Sequence, residues 1–333
     1  MNQPILTNIQ LYAIGPDGEK QSWSAFLGPM HEALIVAELS FDNGLQGVGG
    51  VSRWTEHEFD QTVFHGAALA APFLLGKGLY DWTQTVAEMS RRYIPLHGYA
   101  MALFDIAWHD AKAKSIGLPI YKMLGAAHHK MRAYASSPLF ETPQEYIDYC
   151  HTMLAEKFTA IKIHARGFFN EDYAVVQAIN EEFGDWPIGW SLDADANYTQ
   201  QEALKMGRLL DRCGWDFFEE PIPDNDLDGY QALAAALDID VVSGGNTLCD
   251  LHMMKHALEQ RCWDRVRTDI TNIGGFSVAS DVMSLARAYR QKVELQCWGF
   301  TLSQAANLHL MLANTNCEFF ELVTPFEKYE FGA

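Results

Sequence analysis

Residues 190–221 read WSLDADANYTQQEALKMGRLLDRCGWDFFEEP, and the fold is decided there. Trp190-Ser191-Leu192-Asp193 is a short apolar run that stops at an acid. Gln200 to Cys213 reads as a helix, and Phe217-Phe218-Glu219-Glu220-Pro221 is a second apolar run ending in acids. Strand, helix and strand thus follow within one short stretch. The same rhythm extends in both directions from Met131 onward. Apolar, β-prone runs end near Ser136, His164, Asp193, Glu220, Gly244, Asp269, Gln296 and Glu321, in steps of 28, 29, 27, 24, 25, 27 and 25 residues. A strand plus a helix repeated eight times at this spacing predicts an α/β protein built on a (β/α) barrel.

The chain before Met131 has a different rhythm. Ala33 to Leu39 reads as a strand, Asp42-Asn43-Gly44 as its turn and Gln46 to Val51 as the return strand. Residues 56 to about 118 read as helices, stopped by Gly117-Leu118-Pro119. The expected organisation is a small α+β domain over 1–125, a barrel over 126–321, and a last segment, 322–333, returning to the small domain. A length of 333 residues suits two such domains.

Bulk properties narrow the partners. The formal net charge of −19 disfavours nucleic acid and anionic membrane. An anionic substrate then has to be drawn in by local positive charge, from a metal ion or a few Lys and Arg. No apolar run approaches the roughly 20 residues that cross a bilayer, and Met1 to Gln10 lacks the pattern of a secretion signal. The six cysteines form no C-x-x-C pair and read as reduced thiols of a cytoplasmic protein.

Barrel enzymes carry their chemistry at the C-terminal ends of the strands. Those ends here hold Lys162 and His164, Asp193 and Asp195, Glu219 and Glu220, Asn246, Asp269, Gln296 and Glu321. Ordinary loop polarity is the rival reading, but a buried charge is costly unless paired or metal-bound. Asp193, Glu219 and Asn246 follow three successive strands, and each offers an oxygen donor to the same rim. A hard cation such as Mg²⁺ takes such a set. Read alone, the Glu-Glu-Pro run fits a capping or salt-bridging carboxylate equally well.

With these residues in hand, a resemblance emerges. Leu192 to Thr199, Phe218-Glu219-Glu220-Pro221, Asn272-Ile273-Gly274-Gly275, Phe104 to Lys114 and Gly117 to Gly125 look like the mandelate racemase and muconate lactonizing group of the enolase superfamily. The similarity runs through the whole chain in order. It implies a modified (β/α)₇β barrel with an N-terminal α+β capping domain. It also implies one Mg²⁺, homo-oligomers, and proton abstraction next to a substrate carboxylate through a metal-stabilised enolate. Asp193 and Glu219 match the first two metal ligands of the family. Asn246 stands where the third, usually Glu, is expected, which costs one charge.

The bases depart from that pattern. The family has Lys-x-Lys where this chain has Lys162-Ile163-His164. Residues two apart share a strand face, so both side chains are expected at the barrel mouth, with His164 as the base and Lys162 beside it. The alternative is that Lys162 binds a carboxylate and His164 is a satisfied pocket residue. Asp269 matches the acid of the family's Asp-His dyad, but the His position falls on Gln296, and an amide cannot accept and return a proton. Glu321 matches a Glu that hydrogen-bonds the substrate carboxylate, a role that requires it neutral. Capping loops over Gly15 to Glu32 and Val51 to His57 would bring Trp23, His31, Arg53 and Trp54 to the substrate; surface packing explains them equally well. His252 and His256, four apart on a helix, read as a solvated face rather than a zinc site. The leading expectation is a Mg²⁺-dependent lyase that dehydrates a hydroxy acid, a sugar acid by analogy. An epimerase, racemase or cycloisomerase of the same family is the second reading, and a non-catalytic barrel that binds metal or acid sugars the third.

Overall fold

The computed structural model describes residues 3–15, 20, 22, 25, 26, 28–56, 58–92, 98–246 and 250–326. The first part is an antiparallel sheet in the order β1 (Leu6–Ile14), β2 (His31–Phe41) and β3 (Gln46–Thr55). The β2–β3 hairpin turns at Gly44, whose φ of 83° is open to glycine at little cost. Val51 to Thr55, expected as a loop, is the end of β3: its ladder with β2 continues to Thr55 opposite His31. Arg53 and Trp54 therefore sit on a strand, which holds them more rigidly than a loop would.

Four helices follow: α1 (Glu58–Leu74), α2 (Trp82–Arg92), α3 (Gly98–Ser115) and the short α4 (Ile120–Met123). Strand β3 lies directly on α3. A Cβ at Gly47 would stand 2.2 Å from the Ala107 carbonyl oxygen, and one at Gly49 2.4 Å from that of Leu103. The glycines of Gly47-Val48-Gly49-Gly50 are thus packing glycines. Helix α3 is apolar on nearly every side because its other face meets the barrel. Its buried Asp105 accepts from Trp82 Nε1 (2.7 Å), Ser277 N (3.2 Å) and Ser277 Oγ (2.5 Å). A side chain at Gly275 would collide with Asp105, its Cβ falling 2.4 Å away. The Asn272-Ile273-Gly274-Gly275 run is accordingly the seat of the first part on the second.

The second part alternates β4 (Arg132–Ser136), α5 (Pro143–Ala155), β5 (Ala160–His164), α6 (Phe169–Phe183), β6 (Gly189–Asp193), α7 (Gln200–Cys213), β7 (Phe217–Glu219), α8 (Leu227–Ala236), β8 (Asp240–Val242), α9 (Leu251–Gln260) and β9 (Arg265–Thr268). It ends with α10 (Ile270–Ile273), α11 (Phe276–Ala288), β10 (Lys292–Leu295), α12 (Thr301–Ala313) and β11 (Phe319–Val323). The eight strands are parallel, in the order β10-β9-β8-β7-β6-β5-β4-β11. Their ends lie within two residues of the positions read from the sequence. The architecture is a nearly closed modified TIM barrel with a capping domain. Local chemistry explains the helix starts. Thr142 with Glu145, and Thr199 with Glu202, form reciprocal capping boxes at α5 and α7. Gly214 ends α7 in the left-handed region.

Leu322 and Val323, expected to leave the barrel, stay in β11 and pair with Ala135 and Ser136 of β4. Residues 327–333 of that segment lie outside the described residues. Five described cysteines are free thiols. No helix among the described residues is long and apolar enough to cross a membrane. His252 and His256 are exposed on α9.

Candidate active site at the barrel mouth

A cavity of about 320 Å³ lies between the strand ends and the capping sheet. His164, Asp193, Asp195, Glu219, Glu220, Asn246, Arg267, Asp269, Gln296 and Trp298 line it from the barrel. Ser52, Arg53, Trp54, Glu58 and Tyr99 are among the residues that line it from the other side.

His164 is the last residue of β5, 6% exposed, and its ring is fixed. Nδ1 lies 2.7 Å from the Ser137 carbonyl oxygen, which can only accept, so Nδ1 carries the hydrogen. Nε2 faces Asp193 Oδ2 at 3.3 Å. Lys162 shares the strand face of His164 and reaches the mouth carboxylates from beneath the cavity wall, without lining the cavity itself. It is fully buried, with Nζ 2.5 Å from Glu321 Oε1, 3.0 Å from Glu219 Oε2 and 3.2 Å from Asp193 Oδ2. Burial and the Arg267 guanidinium oppose the Lys162 charge, but the Glu219 and Glu321 carboxylates outweigh them and hold its pKa well above the lysine range. Strand alternation set its face correctly. The ionic contacts below set its depth.

Glu321 is the chief correction among the acids. It is 1% exposed and does not line the cavity. Burial would raise its pKa, but Lys162 and Arg267 hold it well below the usual carboxylate range. Arg267 Nη2 (2.8 Å), Ser136 Oγ (3.0 Å), Trp298 Nε1 (3.1 Å) and Cys297 N (3.3 Å) also donate to it. A neutral Glu321 that reaches a substrate carboxylate is at odds with this geometry.

Asp193 and Glu219 end neighbouring strands, paired in register, and Asn246 follows the next strand. Lys162 and His164 hold Asp193 well below its ordinary pKa against the pull of burial. Glu219 lies 2.8 Å from Arg267 Nε, yet burial pushes its carboxyl above the usual range. Glu220 also turns into the cavity, because its φ of 44° breaks the strand alternation. Asn246 Nδ2 donates to Glu220 Oε2 at 3.3 Å. Burial, then Asp224 and Asp193, push Glu220 well up. Burial and Asp193 push Asp195 up to about 7. Asp195 and Ala196 share the strained left-handed backbone, with φ of 46° and 59°. The mouth therefore holds more carboxyl groups than its cations neutralise. Two carboxylates and an amide oxygen on neighbouring strands are donors of the kind a hard cation such as Mg²⁺ takes. Asp193 and Glu219 are held here by Lys162, His164 and Arg267, and the raised acids Asp195 and Glu220 stand beside them.

Asp269 caps α10 and is tied down by Thr271 Oγ1 (2.7 Å), Thr271 N (2.9 Å) and Asn307 Nδ2 (2.9 Å). Burial raises its pKa. Gln296 stands beside it on the cavity wall, so that side of the site offers an amide and an immobilised acid. Arg53 faces inward from β3; Nη1 hydrogen-bonds the Tyr99 hydroxyl, and the guanidinium lies 5.8 Å from the Tyr99 ring centre. His31 begins β2 and is not part of the wall, and Trp23 lies outside the described residues. Tyr99, Arg267 and Trp298 were not anticipated. Arg267 had a signal, since it precedes Asp269 by two residues on a strand. Tyr99 had none, because only the tertiary fold brings α3 to the mouth.

Comparison with known proteins agrees with this geometry. The family model for the mandelate racemase / muconate lactonizing enzyme N-terminal domain matches residues 23–125, and that for the enolase C-terminal domain-like region matches 145–331. The chain belongs to the mandelate racemase and muconate lactonizing enzyme family of the enolase superfamily. It is 28% identical to an L-talarate/galactarate dehydratase of Salmonella typhimurium, over 78% of this chain and 67% of that one. It is 31% identical to a D-galactarolactone cycloisomerase of Agrobacterium fabrum, over 65% of this chain and 58% of that one. The matched stretch is thus about three fifths to two thirds of those relatives' lengths. A solved structure from Pseudovibrio sp., described in terms of the same family, superposes with a TM-score of 0.95 at 33% identity, covering 99% of this chain and 88% of that one. A mutant L-talarate/galactarate dehydratase solved with Mg and L-glucarate shares the fold, with a TM-score of 0.83 at 23% identity over 96% and 82% of the two chains.

Proposed function

We propose that the chain is a Mg²⁺-dependent dehydratase of acid sugars, which removes the proton next to a carboxylate and expels the neighbouring hydroxyl. The observation that carries this reading is the placement of His164. With Nδ1 on the Ser137 carbonyl, Nε2 is turned to the cavity wall beside Asp193 Oδ2, where it would take a proton once a metal engages the Asp193 carboxylate. Asp193, Glu219 and Asn246 would hold the metal. Bound there, Mg²⁺ supplies Lewis-acid stabilisation of the negative charge that builds on the substrate carboxylate. Lys162 keeps the Asp193 and Glu219 carboxylates in place and stays an ammonium, so it acts on the site through charge. Glu321 anchors Lys162 and Arg267 from below.

His164 takes the α-proton at Nε2. The resulting imidazolium is the acid nearest the same substrate face, and it returns the proton to the departing hydroxyl in a syn elimination. Gln296 holds a substrate hydroxyl by hydrogen bonds and keeps its own protons. Arg53, braced by Tyr99, binds the far end of the substrate from the capping side. The absence of a base at Gln296 favours dehydration over an epimerisation that needs bases on both faces.

A library of acid sugars incubated with Mg²⁺ and scored for loss of water tests the reading. His164→Asn should lower turnover by about 10² to 10⁴ with Mg²⁺ affinity unchanged. A fully active variant removes His164 as the base. Exchange of the α-proton with deuterium but no dehydration would turn the reading to an epimerase. Binding without exchange would turn it to a non-catalytic barrel.

A further inference from the structure

Trp298 lies between β10 and α12 and is not needed for any step above. Its ring meets the His164 ring edge to face, with centres 5.5 Å apart at 89°. Its indole N–H points the other way, to Glu321 Oε1 at 3.1 Å and Ser136 Oγ at 3.2 Å. One side chain thus touches the proposed base on one side and the ionic barrel interior on the other. The segment that carries it is held at both ends. Asn307 Nδ2 donates to the Gln296 carbonyl (2.9 Å), and Phe300 N donates to Ser52 Oγ of β3 (3.0 Å). Between them Gly299 has a φ of 146°, and a Cβ there would lie 2.4 Å from Ser52 Oγ.

We propose that Trp298 is the positioning residue for His164. The indole braces an imidazole already fixed by Ser137 and Asp193, and the Glu321 anchor sets the height of the indole. An edge-to-face contact contributes about 0.5–1.5 kcal/mol, enough to select one ring orientation. A reacting group misplaced by about 1 Å loses on the order of 10²-fold in rate. The capping sheet takes part through Ser52, so a correctly seated cap and a correctly aligned base are one arrangement. The inference rests on His164 as the base, and its test separates the two.

The variants are Trp298→Phe, which keeps a ring and loses the N–H, and Trp298→Leu, which loses the ring. The first readout needs no substrate. In protein labelled with ¹³C-histidine, the His164 ring signal, identified by its loss in His164→Asn, should move in Trp298→Leu and return most of the way in Trp298→Phe. The second readout is Mg²⁺-dependent turnover, with galactarate as first probe. Trp298→Leu should lower kcat about 10- to 100-fold while KM changes less than about threefold, and Trp298→Phe should recover most of the loss. A residue that merely walls the substrate would raise KM instead. An unmoved His164 signal in Trp298→Leu overturns the inference whatever the activity. Wild-type kcat in Trp298→Leu while His164→Asn is inactive overturns the positioning role alone. Wild-type turnover in His164→Asn overturns the base assignment and the positioning role with it.

Discussion

Strand β9 carries two buried arginines two residues apart, and their surroundings differ. Arg265, at the N-terminal end of the barrel, is bracketed by Asp240 (2.6 Å), Asp216 (2.7 Å) and Glu294 (3.2 Å). Two of its acids, Asp216 and Asp240, reach solvent. Arg267, at the mouth, shares Glu219 and Glu321 with Lys162, in a neighbourhood where Glu220, Asp195 and Asp269 are all pushed upward. At the N-terminal end the buried acid, Glu294, is matched by its arginine and the surplus acids stand in solvent, so the cluster serves the fold. At the mouth the surplus acids are buried, which is costly until a cation arrives. The same residue type on the same strand face thus has two different energetic roles.

The largest expected effect breaks the matched end. Arg265→Met leaves the buried Glu294 without its cation, and breaking one side of a buried ionic cluster costs about 3–5 kcal/mol. Denaturant unfolding should show that loss, and the stabilisation given by Mg²⁺ should survive it. A variant that lost the Mg²⁺ effect would show that the two ends are not separate. The next effect tests the unmatched end. Mg²⁺ at 100 times its dissociation constant should stabilise the wild type by about 2.7 kcal/mol. Asp193→Asn should abolish most of that gain and turnover with it. An undiminished gain would mean that the cation binds elsewhere.

How much of this contrast was legible beforehand depends on which property carried it. The barrel was legible because strand ends recur with a fixed period, and the acids at Asp193 and Glu219 because they interrupt apolar runs. Depth was not legible. Alternation gives the face of a strand, but a long side chain can travel up or down the barrel, and Lys162 goes down to Glu321. The same limit hid the ionised state of Glu321, which depends on two cations far away in the chain. Arg53 and Trp54 fall in a loop by the resemblance, which places capping loops over the site. They belong to a strand whose one face is a cavity wall. Glu219 and Glu220 both read as strand-end residues, and alternation would put them on opposite faces; the positive φ of Glu220 is what brings both to the mouth. Tyr99 comes from a helix with no local chemical signature, and only the docking of the cap brings it to the site. Trp298 follows Gln296 by two residues, beyond the end of β10, where strand alternation no longer applies.

The smallest expected effect lies above the mouth and extends the contrast to the capping sheet. Glu32 on β2 is a buried carboxyl, 5% exposed, placed near Ser52 and the Gly299–Phe300 backbone. Burial pushes its pKa up to about 8, although hydrogen bonds from Ser52 and Phe300 pull the other way. The folded state therefore binds this proton more tightly than the unfolded chain, where the ordinary value is 4.5. The sign follows from proton linkage: stability is full below the unfolded value and falls as pH rises from about 4.5 to about 8, then levels off. Glu32→Gln keeps the shape of the neutral acid and does not titrate. It should match the wild type at pH 4 and exceed it by roughly 1–3 kcal/mol near pH 7. That range follows from about 1.4 kcal/mol for each pH step between the unfolded and folded values, less the relief that water and relaxation provide. Thermal unfolding of both proteins across that range measures the difference directly. A difference that stays constant with pH would show that Glu32 is ionised in the folded protein and has found a cation, and the capping sheet would then belong with the matched end of the barrel.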